Sequence, residues 1–560
     1  MGTRGGNHAR GLQQVSGRKK KPEVYNSLTV GSTTTVVREV MLRMLADPIP
    51  GTPCEVTEAQ LQHFNSTMAK SISNILVSLP KTQQEHTFRS NHPKPSLSLM
   101  QNTLTTKKLS VPCKASVSST IETQQQQKNP KHAAIPDVWC KIQGEDDWAG
   151  LLEPMDPLMR SELTRYGEMA QACYDAFDFD PYSKYCGSCR YTVSEFFEAL
   201  DMAHLGYTVT RYLYATANIN LPNFFRKSRW PHKMWSKHAN WAGYVAVSDD
   251  ATSKRLGRRD ITIAWRGTVT HVEWVADLMN FLKPISPDIP CDDKDVKVEA
   301  GFLDMYTDKE SGCGYCKYSA REQVLVEVKR LIDMYPNEEL SVTITGHSLG
   351  SAMAILSAFD IVETGLNTGR DGRRAHVSVF SFSGPRVGNV RFKERLEKKL
   401  GIKVLRVHNK HDMVPQSPGL FFNETLPPWL LKLAEGLPWC YLHVGVELEL
   451  DHKKSPYLNP NGDGACAHNL EAHLHLLDGY HGRNHGFEPA TGRDLALVNK
   501  DCDFLKDEHS VPPRWRQDMN KGMIKSENGQ WVQAERPKLH DDPQDIDHYL
   551  VKLGIASSNT

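Results

Sequence analysis

The chain has almost no net charge: 67 Lys plus Arg face 66 Asp plus Glu, a formal balance of +1 at pH 7. It therefore lacks the overall basic surface with which proteins grip a phosphate backbone, and no nucleic-acid partner is expected. It also lacks any uninterrupted apolar run of the ~18 residues that a membrane-spanning helix needs, and no secretory apolar segment stands near its start. A soluble or peripheral protein is expected. The 12 cysteines are scattered over 560 residues, without the spacing of a small disulfide scaffold. Two C-x-x-C pairs stand out, CGSC at Cys186–Cys189 and CGYC at Cys313–Cys316. Together they could bind zinc, and either could cycle as a redox pair. A long stretch of apparent globular chain separates them and neither opens a thioredoxin-like unit. Reduced loop cysteines are expected, with no metal and no organic cofactor.

The near-zero balance hides an asymmetry. Met1 to Pro136 carries 17 Lys plus Arg against 7 Asp plus Glu, which leaves about −9 for the remainder. This first part is rich in Ser, Thr and Gln, includes the run Gln124 to Gln127, and is poor in aromatics. Such a composition cannot bury a core, and disorder is expected over 1–134. A basic, acid-poor, Ser/Thr-rich leader also suits an organelle transit peptide. Globular patterning runs from 135 to about 540, and 541–560 reads as a C-terminal tail.

Within the globular part the pattern alternates between strand and helix. After Asp156, apolar residues fall at helical spacing: Leu158, Leu163, Tyr166, Met169, Ala170 and Cys173. Strands are expected in YTVTRYLYATANINLPNFF and WAGYVAVSDD, the second followed by a charged loop, SKRLGRRD. DITIAWRGT holds a short strand, Ile261 to Trp265. SAREQVLVEVKRLIDMYP reads as an amphipathic helix opened by a Ser319/Glu322 capping box and stopped by Pro336. From Asp260 to Asn409 the order is β, α, β, α, β, α, β, which implies a mainly parallel sheet with helices on both faces.

In that setting the frame GHSLG, Gly346 to Gly350, carries chemistry. A strand that turns sharply into a helix lifts Ser348 above the sheet edge, and the flanking glycines let backbones pass closely. The helix start aims N–H groups where negative charge develops, so the Leu349 N–H is the natural first oxyanion donor. A serine hydroxyl needs a base, and the base needs an orienting acid, in the chain order Ser, acid, His. The strand IKVLRVHN ends in KHDMVP, which puts Asp412 at a strand's C-terminal end; its alternative role is a turn cap before Pro415. AHNLEAHLHLLDGYHG offers four histidines. If Leu470, Leu474 and Leu477 form the buried face, His473 lies beside it, His475 points elsewhere and His481 lies past the helix end. His468, in the entry loop, can lean over the sheet edge and is the favoured base.

These words in this order resemble the plant class 3 lipases, and within them the plastid phospholipase A1 type-I gamma branch. The shared words are DDWAGLLEPMDP, RYGEMAQACYDAF, SKYCGSCRY, ANINLPNFF, WAGYVAVSDD, GRRDITIAWRGTVTHVEWVADL, GHSLG, GPRVGN, HDMVPQSPG, HNLEAHLHLLDGYHG, ALVNK and VPPRWRQD, from about Ile135 to about Val532. The resemblance implies an α/β-hydrolase fold with a nucleophile elbow and a lid, Ser348 as nucleophile, Asp412 as acid and His468 as base. It also implies a second oxyanion contribution from Thr268 and places the lid in VTHVEWVADL. The family often has Gly where Ser351 follows the elbow, and slight crowding is expected there. The implied activity is release of the sn-1 acyl chain of phosphatidylcholine, with galactolipids and triacylglycerol as further substrates. The implied location is the chloroplast, with the cytoplasm as the alternative.

A lipase must also meet aggregated lipid. NFFRKSRWPHKMWSKHANW interleaves Phe224, Phe225, Trp230, Trp235 and Trp241 with Arg226, Lys227, Arg229, Lys233 and Lys237, a mixture that suits an anionic interface; its alternative is a packed loop with solvated charges. LPPWLLKLAEGLPW is either the rim of an acyl groove or ordinary core. Three other functions fit parts of the pattern: a catalytically silent lipid-binding protein, a carboxylesterase of soluble esters, and a regulator built on the C-x-x-C pairs.

Overall fold

The computed structural model describes residues 134–216, 225–230, 232, 234–268, 282–419, 423–425, 431–432, 440–517, 519–537 and 544–555. The leader expected over 1–134 lies outside these residues apart from its last. At the centre is a seven-stranded sheet, with β1 (Tyr207–Thr216), β2 (Ala239–Ser248), β3 (Arg259–Trp265), β4 (Leu340–His347), β5 (His376–Phe382), β6 (Lys403–Asn409) and β7 (Val446–Leu450) adjacent in that order. The first three pair antiparallel and the rest parallel, in a register that sets Ile263 beside Ile344, Ile344 beside Val379 and Val379 beside Val404.

Side chains alternate across the pleat, so each strand feeds two cores. Ile261, Ile263, Val342, Ile344, Val377 and Val379 pack on one face. There they meet α3 (Ala320–Met334) and α4 (Leu349–Glu363). Ala264, Phe380, Phe382, Leu405 and Val407 pack on the other, against α1 (Pro157–Asp175) and α6 (Leu470–Asp478). The ends of these helices follow their caps. Asp156 accepts from the Leu158 and Met159 N–H groups at 2.8 and 3.1 Å, and the Ser319/Glu322 box is fully formed.

Three local expectations change. SKRLGRRD is not a loop: Asp250–Leu256 forms α2, capped by Asp249 on the Thr252 N–H at 2.7 Å and ended by Gly257 at φ 75°. Its charges concealed a capped helix because cap chemistry outweighs a weak apolar face in so short an element. The aromatic-basic stretch divides: Trp241 sits on β2 with no exposure and Trp235 packs between Tyr214 and Tyr315, whereas Lys227, Arg229 and Lys237 are exposed. Trp230 alone of the described tryptophans there is half-exposed, whereas Phe224 and Lys233 lie outside the described residues. Finally, the segment expected as a tail holds α7 (Gln544–Lys552), whose Ile546 and Leu550 bury against Tyr318 and Val326 beside α3.

Beneath the sheet's N-terminal end sits a buried polar cluster. Asp260 accepts hydroxyl hydrogen bonds from Tyr166, Tyr207, Thr262, Ser341 and Thr343 at 2.6–2.9 Å. Burial pushes its carboxyl up, but Arg258 and Arg165, aided by the Thr343 and Ser341 hydroxyls, hold it below the ordinary value. Removing the acid leaves Glu162 as the one carboxylate facing the buried Arg258 and Arg165 among the described residues, and takes the shared acceptor from five buried hydroxyls. Asp260→Ala is therefore expected to destabilise the fold by about 3–5 kcal/mol, read as a lower denaturant midpoint at unchanged slope. The sign of its pH dependence follows from the lowered ionisation. The contribution is complete above the unfolded carboxyl value near ~4 and is lost as pH falls through the lower native one.

Candidate active site

Ser348 stands between the last residue of β4 and the first of α4, at φ 62° and ψ −129°. A non-glycine residue holds such angles only where the surroundings over-determine them. Here the Ser348 N–H donates to the Phe382 carbonyl at 2.9 Å, and the glycines on either side admit no side chain. A Cβ on Gly346 would lie 2.3 Å from the Gly350 carbonyl, and one on Gly350 would lie 2.3 Å from the Trp265 carbonyl oxygen. Ser351, expected to crowd this turn, instead fastens it: its hydroxyl is 2.6 Å from the Gly346 carbonyl oxygen and 3.1 Å from that of Phe382.

Asp412 and His468 arrive from later turns. Asp412 follows the end of β6 by three residues, and its carboxylate has two uses. One oxygen accepts the Val414 N–H at 2.9 Å, which makes the turn; the other lies 2.7 Å from His468 Nδ1. Burial alone would raise this carboxyl, but the adjacent His468 outweighs it and keeps Asp412 below its ordinary value. His468 caps the C-terminus of the four-residue helix α5 (Gly464–Ala467), and its Nε2 is 2.9 Å from Ser348 Oγ. With Nδ1–H donating to the carboxylate, Nε2 is left to accept from the serine hydroxyl.

On the other side of Ser348 runs the segment Arg266–Gly267–Thr268. Thr268 Oγ1 is buried and has no hydrogen-bond partner among the described residues, an unusual state for a hydroxyl that the developing charge of a bound ester would relieve. The Leu349 N–H belongs to the first turn of α4, where backbone donors lack intrahelical acceptors. Gly267 makes the approach of this segment feasible, since a Cβ there would fall 2.5 Å from the His347 carbonyl oxygen and 2.1 Å from the Tyr174 hydroxyl. Arg266 braces it from below, donating to the carbonyls of Trp241 and Gly267, both at 2.9 Å, with its guanidinium 3.9 Å from the Phe177 ring centre. Burial lowers the ionisation of this guanidinium to about 9.

Residues 262–422 match the family described as Lipase (class 3). Phospholipase A1-Igamma2, chloroplastic, of Arabidopsis thaliana is 61% identical over 434 residues, covering 76% of this chain and 82% of that protein. Phospholipase A1-Igamma1, chloroplastic, of the same plant is 63% identical over 426 residues, covering 75% and 82%. The rice (Oryza sativa subsp. japonica) phospholipase A1-II 1 is 39% identical, covering 72% and 96%. The chain belongs to the class 3 lipase family. The parallel sheet and elbow are those of an α/β-hydrolase, and the lipase is an ester hydrolase. Like the Arabidopsis relatives, it is a chloroplast protein.

Several groups in this lipase serve the site without any signal in the sequence beyond their neighbourhood. His347, the second residue of GHSLG, has its Nε2 2.8 Å from the His468 carbonyl oxygen and its Nδ1 2.7 Å from the Tyr174 hydroxyl. Burial, with His468 and His473 nearby, drives its ionisation well below the ordinary histidine value. A neutral ring with these partners donates from Nε2 and accepts at Nδ1. It thereby ties the backbone of the base to the end of the elbow strand.

The remaining histidines of the cluster are structural. Every residue of α6 is buried, so its apolar spacing could not rank them. His473 donates from Nδ1 to the Asn469 carbonyl at 2.6 Å, and its Nε2 meets the Asn409 N–H at 3.2 Å and the Ser383 hydroxyl at 2.6 Å. His475 contacts the Ser455 hydroxyl at 2.9 Å. Burial lowers both imidazoles to about 4. His481, past the helix end, lies 3.1 Å from the Arg160 guanidinium.

The four C-x-x-C thiols do not gather into a metal-ligating cluster among the described residues. Trp235 lies between the pairs, with its indole N–H on the Cys186 carbonyl at 2.8 Å and its ring against Cys313 and Cys316. The lid expected in VTHVEWVADL lies outside the described residues. So does the expected groove rim in LPPWLLKLAEGLPW, apart from Leu431 and Lys432.

Proposed function

We propose that the protein is a phospholipase A1 that removes the sn-1 acyl chain of phosphatidylcholine, with mono- and digalactosyldiacylglycerol and triacylglycerol as further substrates. The observation that carries this reading is the continuous relay from Asp412 through His468 to Ser348 beside an unpartnered Thr268 hydroxyl. The phospholipase A1 relatives supply the substrate class.

In this mechanism His468 Nε2 takes the Ser348 proton as Oγ attacks the ester carbonyl. The Leu349 N–H and the Thr268 hydroxyl then hold the tetrahedral oxyanion. His468 next gives its proton to the departing glycerol oxygen. Water, deprotonated by the same ring, releases the fatty acid from Ser348. Asp412 keeps the imidazole in the working tautomer and balances its charge when protonated. The substrate lies in a membrane, so the reading includes peripheral contact with a lipid surface, for which the half-exposed Trp230 is one available anchor.

Phosphatidylcholine carrying different chains at sn-1 and sn-2, incubated with the enzyme, is expected to yield the sn-1 acid and a 2-acyl lysolipid by mass spectrometry. Release of the sn-2 acid first would overturn the regiochemistry. Hydrolysis confined to short soluble esters would instead favour the carboxylesterase reading.

A further inference from the structure

Behind the base lies a second pair of reactive groups that the hydrolytic mechanism does not use. Cys466 is the third residue of α5, the short helix capped by His468. Cys502 sits in a loop that approaches from 36 residues on. The Cys466 thiol is 3.2 Å from the carbonyl of Asp503, the neighbour of Cys502, and the Cys502 thiol is 3.0 Å from the Val498 carbonyl. Each thiol thus donates to a backbone carbonyl, and the contact with Asp503 sets Cys466 against the segment that carries Cys502. Both are unpaired cysteines, nearly buried, and both line a pocket of about 320 Å³ whose wall also includes Thr268, His347 and His468.

The two sides of this pair differ in rigidity. The Cys502 loop is anchored: Asn499 Oδ1 accepts from the Phe504 and Leu505 N–H groups at 2.8 and 2.9 Å, and the Arg514 N–H donates to the Cys502 carbonyl at 3.0 Å. Helix α5 is one turn long, hung from the Asp463 side chain on the Cys466 N–H at 2.8 Å, and its Gly464 carbonyl accepts the His468 N–H at 3.1 Å. Any pull on Cys466 therefore passes to His468.

We propose that Cys466 and Cys502 form a reversible oxidation site in the wall of the active-site pocket, where closure of a disulfide withdraws His468 from Ser348 and lowers the hydrolytic rate. The oxidant is a hydroperoxide small enough to enter the pocket. Cys466 sulfur bonds to the terminal peroxide oxygen, the O–O bond breaks, and water (or an alcohol) leaves, giving a sulfenic acid. Cys502 sulfur then bonds to Cys466 sulfur as the S–O bond breaks, and the sulfenic hydroxyl leaves as water with the Cys502 thiol proton. Two thiols are oxidised and one peroxide is reduced. A dithiol reductant reverses the change. Because an active-site displacement of about 1 Å costs on the order of 100-fold in rate, a fall of at least ~10-fold is expected.

This inference rests on the reading of Ser348 and His468 as nucleophile and base, and its test separates the two. The full chain is treated with hydrogen peroxide, quenched with an alkylating agent, mapped by mass spectrometry and assayed on p-nitrophenyl butyrate, then assayed again after dithiothreitol. A Cys466–Cys502 linked peptide should appear together with the loss of rate, and both should reverse. Cys466→Ser and Cys502→Ser should each lose the peroxide response, measured as the ratio of oxidised to reduced rate, whereas Cys313→Ser/Cys316→Ser should keep it. Absence of the linked peptide, or its formation at unchanged rate, overturns the proposal. If the fully reduced protein hydrolyses no ester, the catalytic reading fails instead, while peptide mapping still decides whether the oxidation site exists.

Discussion

Ser348→Ala is expected to lower kcat for ester hydrolysis by about 10⁴- to 10⁶-fold, the loss seen when a triad nucleophile is removed. The Ser348 hydroxyl is 2.9 Å from His468 Nε2, and the side chain is almost wholly buried at the turn between β4 and α4. Alanine meets the same positive φ as serine, and the backbone bond from residue 348 to the Phe382 carbonyl does not involve the side chain. Folding stability should therefore stay within about 1 kcal/mol of the wild type. A residual acceleration of about 10³-fold over water should survive, because the Leu349 N–H and Thr268 hydroxyl still face the carbonyl. Steady-state rates, thermal unfolding and labelling by a fluorophosphonate check all three parts. Labelling of the wild type elsewhere than at Ser348, or an alanine variant within tenfold of wild-type rate, would falsify the assignment and revive the silent lipid-binding alternative.

Asp412→Asn should cost about 10⁴-fold in kcat with little change in KM. The Asp412 oxygen that lies 2.7 Å from His468 Nδ1 can only accept, which fixes the imidazole proton on Nδ1 and frees Nε2 for the serine. An amide nitrogen in that place donates instead. It moves the imidazole proton to Nε2, where the ring can no longer take a proton from Ser348. The turn itself should survive, since the second oxygen still accepts the Val414 N–H. The depressed ionisation of Asp412 has a consequence for the native enzyme as well. The carboxylate stays charged throughout neutral and mildly acidic pH, so the acid limb of the rate profile there is not its own titration. A loss smaller than tenfold, in a variant that unfolds at the wild-type temperature, would reduce Asp412 to the turn cap that its sequence context also permits.

Much of this site was legible because its parts are local. GHSLG between an alternating strand and an apolar helix is a short-range pattern, and the order Ser348, Asp412, His468 is a property of the chain. The choice among four histidines was harder. It came out of where His468 stands, at the entry to α6, and not from the spacing of leucines, since the whole helix is buried. Aromatic and basic interleaving left the lipid interface and the packed loop both open for the same reason: Trp235 and Trp241 are enclosed by Tyr214, Tyr315 and strands that the local pattern does not reveal.

What remained hidden depends on distant neighbours. Tyr174 meets His347 across 173 residues, Arg266 grips the carbonyl of Trp241, and nothing near Thr268 in the chain shows that its hydroxyl is left without a partner. Cys466 and Cys502 belong to neither C-x-x-C word, yet theirs are the thiols that share a wall with the base. The amino-acid order by itself determined most of the strands, the elbow and the residues proposed as nucleophile and acid, because periodicity, caps and turn chemistry act over a few residues. The tertiary structure alone decided that His468 reaches Ser348, that the Thr268 hydroxyl has no partner among the described residues, and that Cys466 and Cys502 share a pocket wall. Those outcomes hang on side-chain packing between segments far apart in the chain, where a shift of about 1 Å separates a working contact from none.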